Sequence, residues 1–85
     1  MIDNMTENKT IIDIREPYEL GNGYIEGSKN IPMNILLMAP ENFLDKSKTY
    51  HIICQSGARS SRTCMMLRQK GYNVINVEGG MYSYR

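Results

Sequence analysis

Short apolar segments alternate with helix-patterned and polar segments along this chain. Three of them, residues 10–14 (TIIDI), 49–53 (TYHII) and 73–77 (NVINV), contain β-branched apolar residues and end at polar or turn-forming residues. Such runs are typical of buried strands. Residues 30–32 predict a further short extended segment. Near-continuous apolar strands separated by helices indicate an α/β fold with a mainly parallel sheet.

The segments between the strands carry helix signals. Pro17 favours a short helix over residues 17–20, broken by the Gly-Asn-Gly of residues 21–23, and short helices are predicted over residues 33–38 and 41–44. The longest predicted helix covers residues 60–70, where Thr63, Cys64 and Leu67 share one face and are expected to point into the core. Residues 79–80 turn the chain into a short C-terminal helix.

Length and composition limit the kind of protein. Eighty-five residues, 41% of them apolar and 22% charged, suit one soluble globular domain. We expect this domain to span residues 1–85, with a core over residues 10–84 after a short polar segment, residues 1–9.

Charge and hydropathy argue against several partners. Net charge is +1 and the Lys and Arg residues are scattered, so nucleic acid is not an expected partner. The longest apolar stretch, residues 35–39, is far shorter than the roughly 20 residues of a membrane span, and the first ten residues lack a signal-peptide core. We expect a cytoplasmic monomer that does not bind membranes.

Two cysteines leave three interpretations open: a disulfide, part of a metal site, or two separate thiols. Cys54 and Cys64 lie ten residues apart without a C-x2-C motif, and His51 is the only histidine, so no metal or cofactor is predicted. A disulfide is disfavoured because Cys64 lies well inside a helix that follows the Cys54 loop. Cys64 is expected to be core filler.

The loop after residue 53 is the best candidate for chemistry. Cys54 follows the end of a predicted parallel strand, where ligands bind in open α/β sheets. Converging loop amides, the helix N-terminus and Arg59 should lower the pKa of its thiol, whose sulfur we expect in a polar cup open to solvent. No histidine base is required, and His51 should lie on the opposite face of the strand.

Four motifs in order resemble the rhodanese domain. They are residues 11–20 (IIDIREPYEL), residues 23–32 (GYIEGSKNIP), residues 54–60 (CQSGARS), and Gly71-Tyr72 followed by Glu78-Gly79-Gly80. The resemblance runs from Thr10 to Tyr84. It implies the rhodanese fold, with a four- or five-stranded mainly parallel sheet and helices on both faces.

The resemblance also implies a sulfurtransferase of the thiosulfate class. Cys54 would accept sulfane sulfur from a donor such as thiosulfate or a persulfide, and would pass it to a thiol, a cyanide-like acceptor or a partner protein. The surrounding loop would hold the persulfide and the donor through Gln55, Ser56, Gly57, Ala58 and Arg59.

Two other functions stay open. One is a regulatory or protein-binding rhodanese-like module without turnover, which the presence of Cys54 disfavours. The other is a small phosphatase or arsenate reductase, which the C-x4-R spacing disfavours because those similar loops are C-x5-R.

The remaining candidates have structural interpretations. Arg59 is equally explained as a solvated helix residue and as a contact for the donor anion. Asp13 and Arg15 are expected to be structural, through an ion pair with Glu16 or Glu19. The sequence departs from the family pattern at four positions that are expected to be scaffold: Tyr24, Glu26, Ser28 and Tyr84.

Overall fold

Four short strands form one parallel sheet in the computed structural model, which describes residues 10–83. The strands are β1 (Thr10–Asp13), β2 (Lys29–Asn30), β3 (Thr49–Ile53) and β4 (Asn73–Asn76). Their order across the sheet is β2-β1-β3-β4, and each of the three pairings is parallel. The two central strands therefore end side by side, with Asp13 paired to Ile53.

Within residues 10–83, three α-helices and two 3-10 helices connect or follow the strands. The α-helices are α1 (Met33–Met38), α2 (Ala58–Gln69) and α3 (Gly80–Ser83), and the 3-10 helices are Pro17–Asn22 and Pro40–Asn42. The main boundary differences from the sequence prediction are that α2 begins two residues earlier than expected and that the predicted helix over 41–44 is a 3-10 turn starting at Pro40. Pro40 fits the first position because its fixed φ suits a helix start.

Side-chain alternation along β3 divides the core into two layers. Tyr50, Ile52 and Cys54 point into a larger cluster that contains Leu36 of α1 and Leu67 of α2. Ile53 points to the opposite face, into a smaller cluster with partly buried Met81 of α3. The predicted α/β fold with helices on both faces is confirmed, and burial of Thr63, Cys64 and Leu67 confirms the inward face of α2.

No helix within residues 10–83 is long and apolar enough to cross a membrane. Tyr84, predicted to close the core and to occupy a scaffold position, lies outside the described residues.

Candidate active site

The candidate site lies at the carboxyl ends of β1 and β3, where Cys54 directly follows the last residue of β3. The chain then turns within three residues into α2. Gly57 precedes the helix with a φ of 99°, in the left-handed region that favours glycine. A Cβ atom at Gly57 would lie 3.1 Å from the backbone nitrogen of Gly79. Glycine therefore permits both the turn and the close approach of the C-terminal segment.

Backbone amides converge on the sulfur of Cys54. The Gly57 amide donates to Sγ at 3.1 Å and the Ser60 amide donates at 3.3 Å, while the Cys54 thiol lies 3.4 Å from the Ser60 hydroxyl. Burial works to raise the pKa of Cys54, but hydrogen bonds from the Ser60 hydroxyl and from the amides of Ser60, Gly57 and Ser56 outweigh it and lower the pKa. The loop therefore favours an anion at this sulfur.

The prediction that solvent reaches this sulfur is wrong. We predicted a polar cup open to solvent, whereas Cys54 is 0% exposed. The physical reason is that the loop closes over the thiol as its amides turn inward, and Cys54 packs in the main core cluster. The stabilisation of the thiolate thus comes from fixed backbone dipoles and one hydroxyl rather than from water.

The C-terminal helix α3 hydrogen-bonds to the backbone of the Cys54 loop. Met81 donates its amide to the carbonyl of Cys54 at 2.8 Å, and Tyr82 donates to the carbonyl of Gln55 at 3.0 Å. Gly80 approaches so closely that an added Cβ would lie 2.3 Å from the Cys54 carbonyl oxygen. The sequence prediction treated Gly79 and Gly80 only as a turn. Their additional role is to let α3 dock against the backbone of the loop.

Arg15 has a different partner from the one expected. We predicted an ion pair with Glu16 or Glu19, but Arg15 pairs with Asp13, its Nη2 lying 2.7 Å from the carboxylate. Residues at i and i+2 of an extended segment lie on the same side, which brings these two together at the end of β1. Both side chains are 1% exposed. Such a buried pair is maintained by further hydrogen bonds.

Arg15 provides those bonds to both loops that flank the site. Its guanidinium donates to the Gln55 side chain at 3.1 Å, to the Gly23 carbonyl at 2.9 Å and to the Glu19 carbonyl at 3.3 Å. Arg15 therefore connects the segment after β1 with the Cys54 loop, and its structural assignment stands.

Arg59 lies at the edge of the site and makes a two-pronged ion pair with Glu19, at 2.9 and 2.8 Å. Hydrogen bonding from Arg59 lowers the pKa of Glu19 to about 2. Arg59 also lines a small cavity of about 130 Å³ with Met33, Ala58 and Arg62. The Arg59 side chain is therefore not simply solvated, because Glu19 holds its guanidinium in place beside the loop.

The other predicted residues occupy distinct positions. Gln55 is half-buried and bonded to Arg15, Ser56 is exposed at the tip of the loop, and Ala58 is the first residue of α2. Cys64 is a free buried thiol on the inner face of α2, and burial raises its pKa to about 11. The structure thus gathers residues 54–59 at one site and leaves Cys64 in the core.

Sequence reasoning missed two residues of this site, Ser60 and Asn76. Ser60 lies in the first turn of α2, and its hydroxyl donates to the side-chain oxygen of Asn76 at the end of β4. A signal for Ser60 was available, because first-turn residues of this helix face the Cys54 loop. Asn76 carried no local signal, since it reaches the site only through the pairing of β4 with β3.

Comparison with known proteins identifies the class. The family description "Rhodanese-like domain" matches residues 1–85. The chain belongs to this family.

Individual relatives cover most of the chain. YtwF of Bacillus subtilis (strain 168) is 40% identical over 78 residues, 92% of this chain and 75% of that protein. A protein of Allochromatium vinosum named "Sulfurtransferase" is 35% identical over 80 residues, 93% of this chain and 74% of its own length. The crystal structure of a rhodanese-related protein from Thermoplasma volcanium is 39% identical with a TM-score of 0.83, over 94% of this chain and 79% of that one.

Proposed function

We propose that this chain is a sulfurtransferase that carries sulfane sulfur as a persulfide on Cys54. The observation that carries the proposal is the pair of amides, from Gly57 and Ser60, that donate to Sγ at 3.1 and 3.3 Å. Donors held in this geometry stabilise a sulfur anion without a histidine base. His51 lies on β3, three residues before Cys54 and therefore on the other face by alternation.

With thiosulfate as the donor, the thiolate of Cys54 attacks the outer sulfur. A sulfur–sulfur bond forms to Cys54, the bond within thiosulfate breaks, and sulfite leaves with its electron pair. An acceptor such as cyanide then attacks the outer sulfur of the persulfide, which returns the Cys54 thiolate and releases thiocyanate. No external oxidant or reductant is needed, because sulfur moves between two nucleophiles in a two-step covalent cycle.

Arg59 supplies the positive charge for an anionic donor. Its guanidinium is 40% exposed and is held by Glu19, so it presents a fixed cation at the edge of the loop. A charge-assisted contact to the donor's oxygens would orient the outer sulfur toward Cys54. Because Cys54 is fully buried, the donor also requires a small outward movement of the loop, in which Ser56 is the exposed residue.

The relatives support a rhodanese-type enzyme at the level of the reaction class. One relative that covers 93% of this chain is named a sulfurtransferase. We propose a small anion that carries sulfane sulfur as the donor, and a thiol, a cyanide-like nucleophile or a partner protein as the acceptor.

Mass measurement of the intact protein after treatment with thiosulfate tests the proposal. We expect one added sulfur on the wild type and on Cys64→Ser, and none on Cys54→Ser. The two substitutions are matched, since each replaces a fully buried thiol by a hydroxyl. Sulfur on Cys54→Ser would refute the assignment of the nucleophile.

A turnover assay separates the alternatives. Thiocyanate formation from thiosulfate and cyanide, with hydrolysis of an aryl phosphate measured in parallel, distinguishes a sulfurtransferase from a phosphatase. Absence of both activities, together with no added sulfur, would instead identify a non-catalytic module.

A further inference from the structure

The Ser60 hydroxyl has more hydrogen-bond neighbours than it has protons. Its oxygen lies 3.4 Å from Cys54 Sγ and 3.2 Å from the Gly57 carbonyl oxygen, and it also hydrogen-bonds to Asn76 Oδ1. Ser60 is fully buried, so no bulk water shares these contacts. A hydroxyl has one proton and two acceptor lone pairs. The Gly57 carbonyl can only accept, so the bonds whose direction can change are those to Cys54 and Asn76, and they depend on whether the Cys54 sulfur carries its proton.

Cys54 is the neighbour that changes. In the thiol form, S–H donates to Ser60 Oγ and Ser60 donates onward to Asn76 Oδ1. In the thiolate form the sulfur only accepts, so the Ser60 proton turns toward Sγ and Ser60 Oγ becomes an acceptor in need of a donor. A side-chain amide meets both needs, because it presents an oxygen acceptor in one orientation and an NH₂ donor after a half-turn.

We propose that Asn76 and Ser60 form a reversible hydrogen-bond relay to Cys54, whose direction reverses when the thiol loses its proton. Asn76 is then a positioning residue that acts on the nucleophile only through Ser60. The relay rests on the proposed function of Cys54, and it assigns the thiolate a side-chain contribution beyond the amides of the loop.

The backbone places the relay where it can act. Asn76 is the last residue of β4 and pairs with Ile52, two residues before Cys54 on the neighbouring strand. Ser60 lies in the first turn of α2, where its hydroxyl contacts both Cys54 Sγ and Asn76 Oδ1. Movement of the loop that leaves β3, β4 and α2 in place would therefore keep Asn76 and Ser60 within reach of each other.

Substituting Ser60 or Asn76 removes none of the charged or titratable groups near Cys54. From α2 they are Arg59 and Cys64, which both interact electrostatically with Cys54. At the end of β1 and just after it, the buried pair of Asp13 and Arg15 reaches the loop through Gln55. Glu19, on the segment after β1, is bound to Arg59, and from α3 Tyr82 contacts the loop through its backbone. Neutral substitutions at positions 60 and 76 therefore test the hydrogen bonds without changing this charge pattern.

The experiment measures the pKa of Cys54 from the ultraviolet absorbance of its thiolate during a pH titration without any sulfur donor. We expect Ser60→Ala to raise this pKa by about one unit, about a tenfold loss of thiolate below the pKa. Ser60→Thr, which keeps the hydroxyl, should stay near the wild type. Burial raises the pKa of Cys64 to about 11, whereas the pKa of Cys54 is lowered, so the two thiols should titrate in separate steps.

Asn76→Leu tests the relay itself, and Asn73→Leu is its matched control. The control lies on the same strand, where the Asn73 amide binds only the Lys46 carbonyl among the contacts described. We expect Asn76→Leu to raise the Cys54 pKa and Asn73→Leu to leave it unchanged. Because Asn76 acts through Ser60, the double variant Ser60→Ala/Asn76→Leu should match Ser60→Ala alone.

Three results would overturn the relay: an unchanged Cys54 pKa in folded Ser60→Ala, an unchanged Cys54 pKa in folded Asn76→Leu, or additive shifts in the double variant. If Asn76→Leu does not fold, as judged by circular dichroism, Asn76→Ala replaces it in the same comparison. The titration requires no sulfur transfer. A responsive pKa in a protein that neither gains sulfur from thiosulfate nor forms thiocyanate would therefore refute the proposed function and leave the relay intact.

Discussion

Replacing Gly80 by alanine tests whether the docking of α3 shapes the Cys54 loop. An added Cβ would lie 2.3 Å from the Cys54 carbonyl oxygen and 2.8 Å from the carbonyl carbon and oxygen of Gln55. These neighbours are backbone atoms, which cannot swing aside as a flexible side chain would. We expect the loop to move away from α3, which would break the hydrogen bond from the Met81 amide to the Cys54 carbonyl.

Two matched variants separate the backbone strain in Gly80→Ala from the steric clash of its added Cβ. Gly27→Ala carries the conformational strain alone, because Gly27 has a φ of 90° and open space around its Cα. That strain costs roughly 1–2 kcal/mol for an L-residue in the left-handed region. Gly21→Ala has open space and no positive φ, and should leave stability unchanged or raise it by about 0.4–1 kcal/mol through the unfolded chain.

Gly80→Ala should lose more stability and more sulfur loading than Gly27→Ala. The forced shift of the loop adds about 1–3 kcal/mol, as other overpacking substitutions do, and each kcal/mol lowers Tm by about 4–8 °C in a domain of this size. Thermal unfolding measures the first effect and sulfur loading by intact mass measures the second. If Gly80→Ala matches Gly27→Ala in Tm and loads sulfur like the wild type, α3 does not shape the loop.

Three further predictions concern the edge of the site and the thiol. Arg59→Ala should raise KM for thiosulfate about tenfold and change kcat less, from the loss of one charge-assisted contact of about 1.5 kcal/mol; unchanged thiosulfate kinetics would leave Arg59 only its bond to Glu19. The pKa of Glu19 is lowered to about 2 from a usual 4.5, so its ionised carboxylate stabilises the folded state above pH 4.5, and this contribution is lost as pH falls toward 2. The difference in free energy of unfolding between the wild type and Glu19→Gln, measured in urea, should therefore shrink over that interval. A constant difference would contradict the ion pair. Iodoacetamide should alkylate Cys54 before Cys64 in the folded protein, with a midpoint of the pH profile below the ordinary thiol value of about 8.5; a midpoint at or above that value would contradict the activation described.

The strands could be predicted because their signals are local. β3 occupies residues 49–53 as expected, since a run of apolar and β-branched residues fixes a strand wherever its neighbours lie. α2 was predicted two residues late because Gly57 itself precedes the helix in a left-handed conformation. A glycine followed by Ala and Arg does not reveal from sequence which of these residues starts the helix.

Only the part of the candidate site that lies on one continuous loop could be predicted from the sequence. Residues 54–59 are consecutive, so their grouping followed from the sequence. Asn76 joins through strand pairing and the Arg59–Glu19 bond spans 40 positions, and neither contact leaves a pattern in a single sequence. The partner of Arg15, by contrast, was accessible: the two-residue spacing from Asp13 in an extended segment places both on one side.

Burial alone does not decide the chemistry of a cysteine here. Cys54 and Cys64 are both 0% exposed and belong to the same core cluster, yet their pKa values move in opposite directions. Desolvation raises both values, but only Cys54 receives amide and hydroxyl donors that bind the anion and not the neutral thiol. Cys64 lies in the second turn of α2, where the backbone amides are already used by the helix. The position of a cysteine before or inside the helix therefore determines which of two equally buried sulfurs has a lowered pKa, the property that the proposed nucleophile needs.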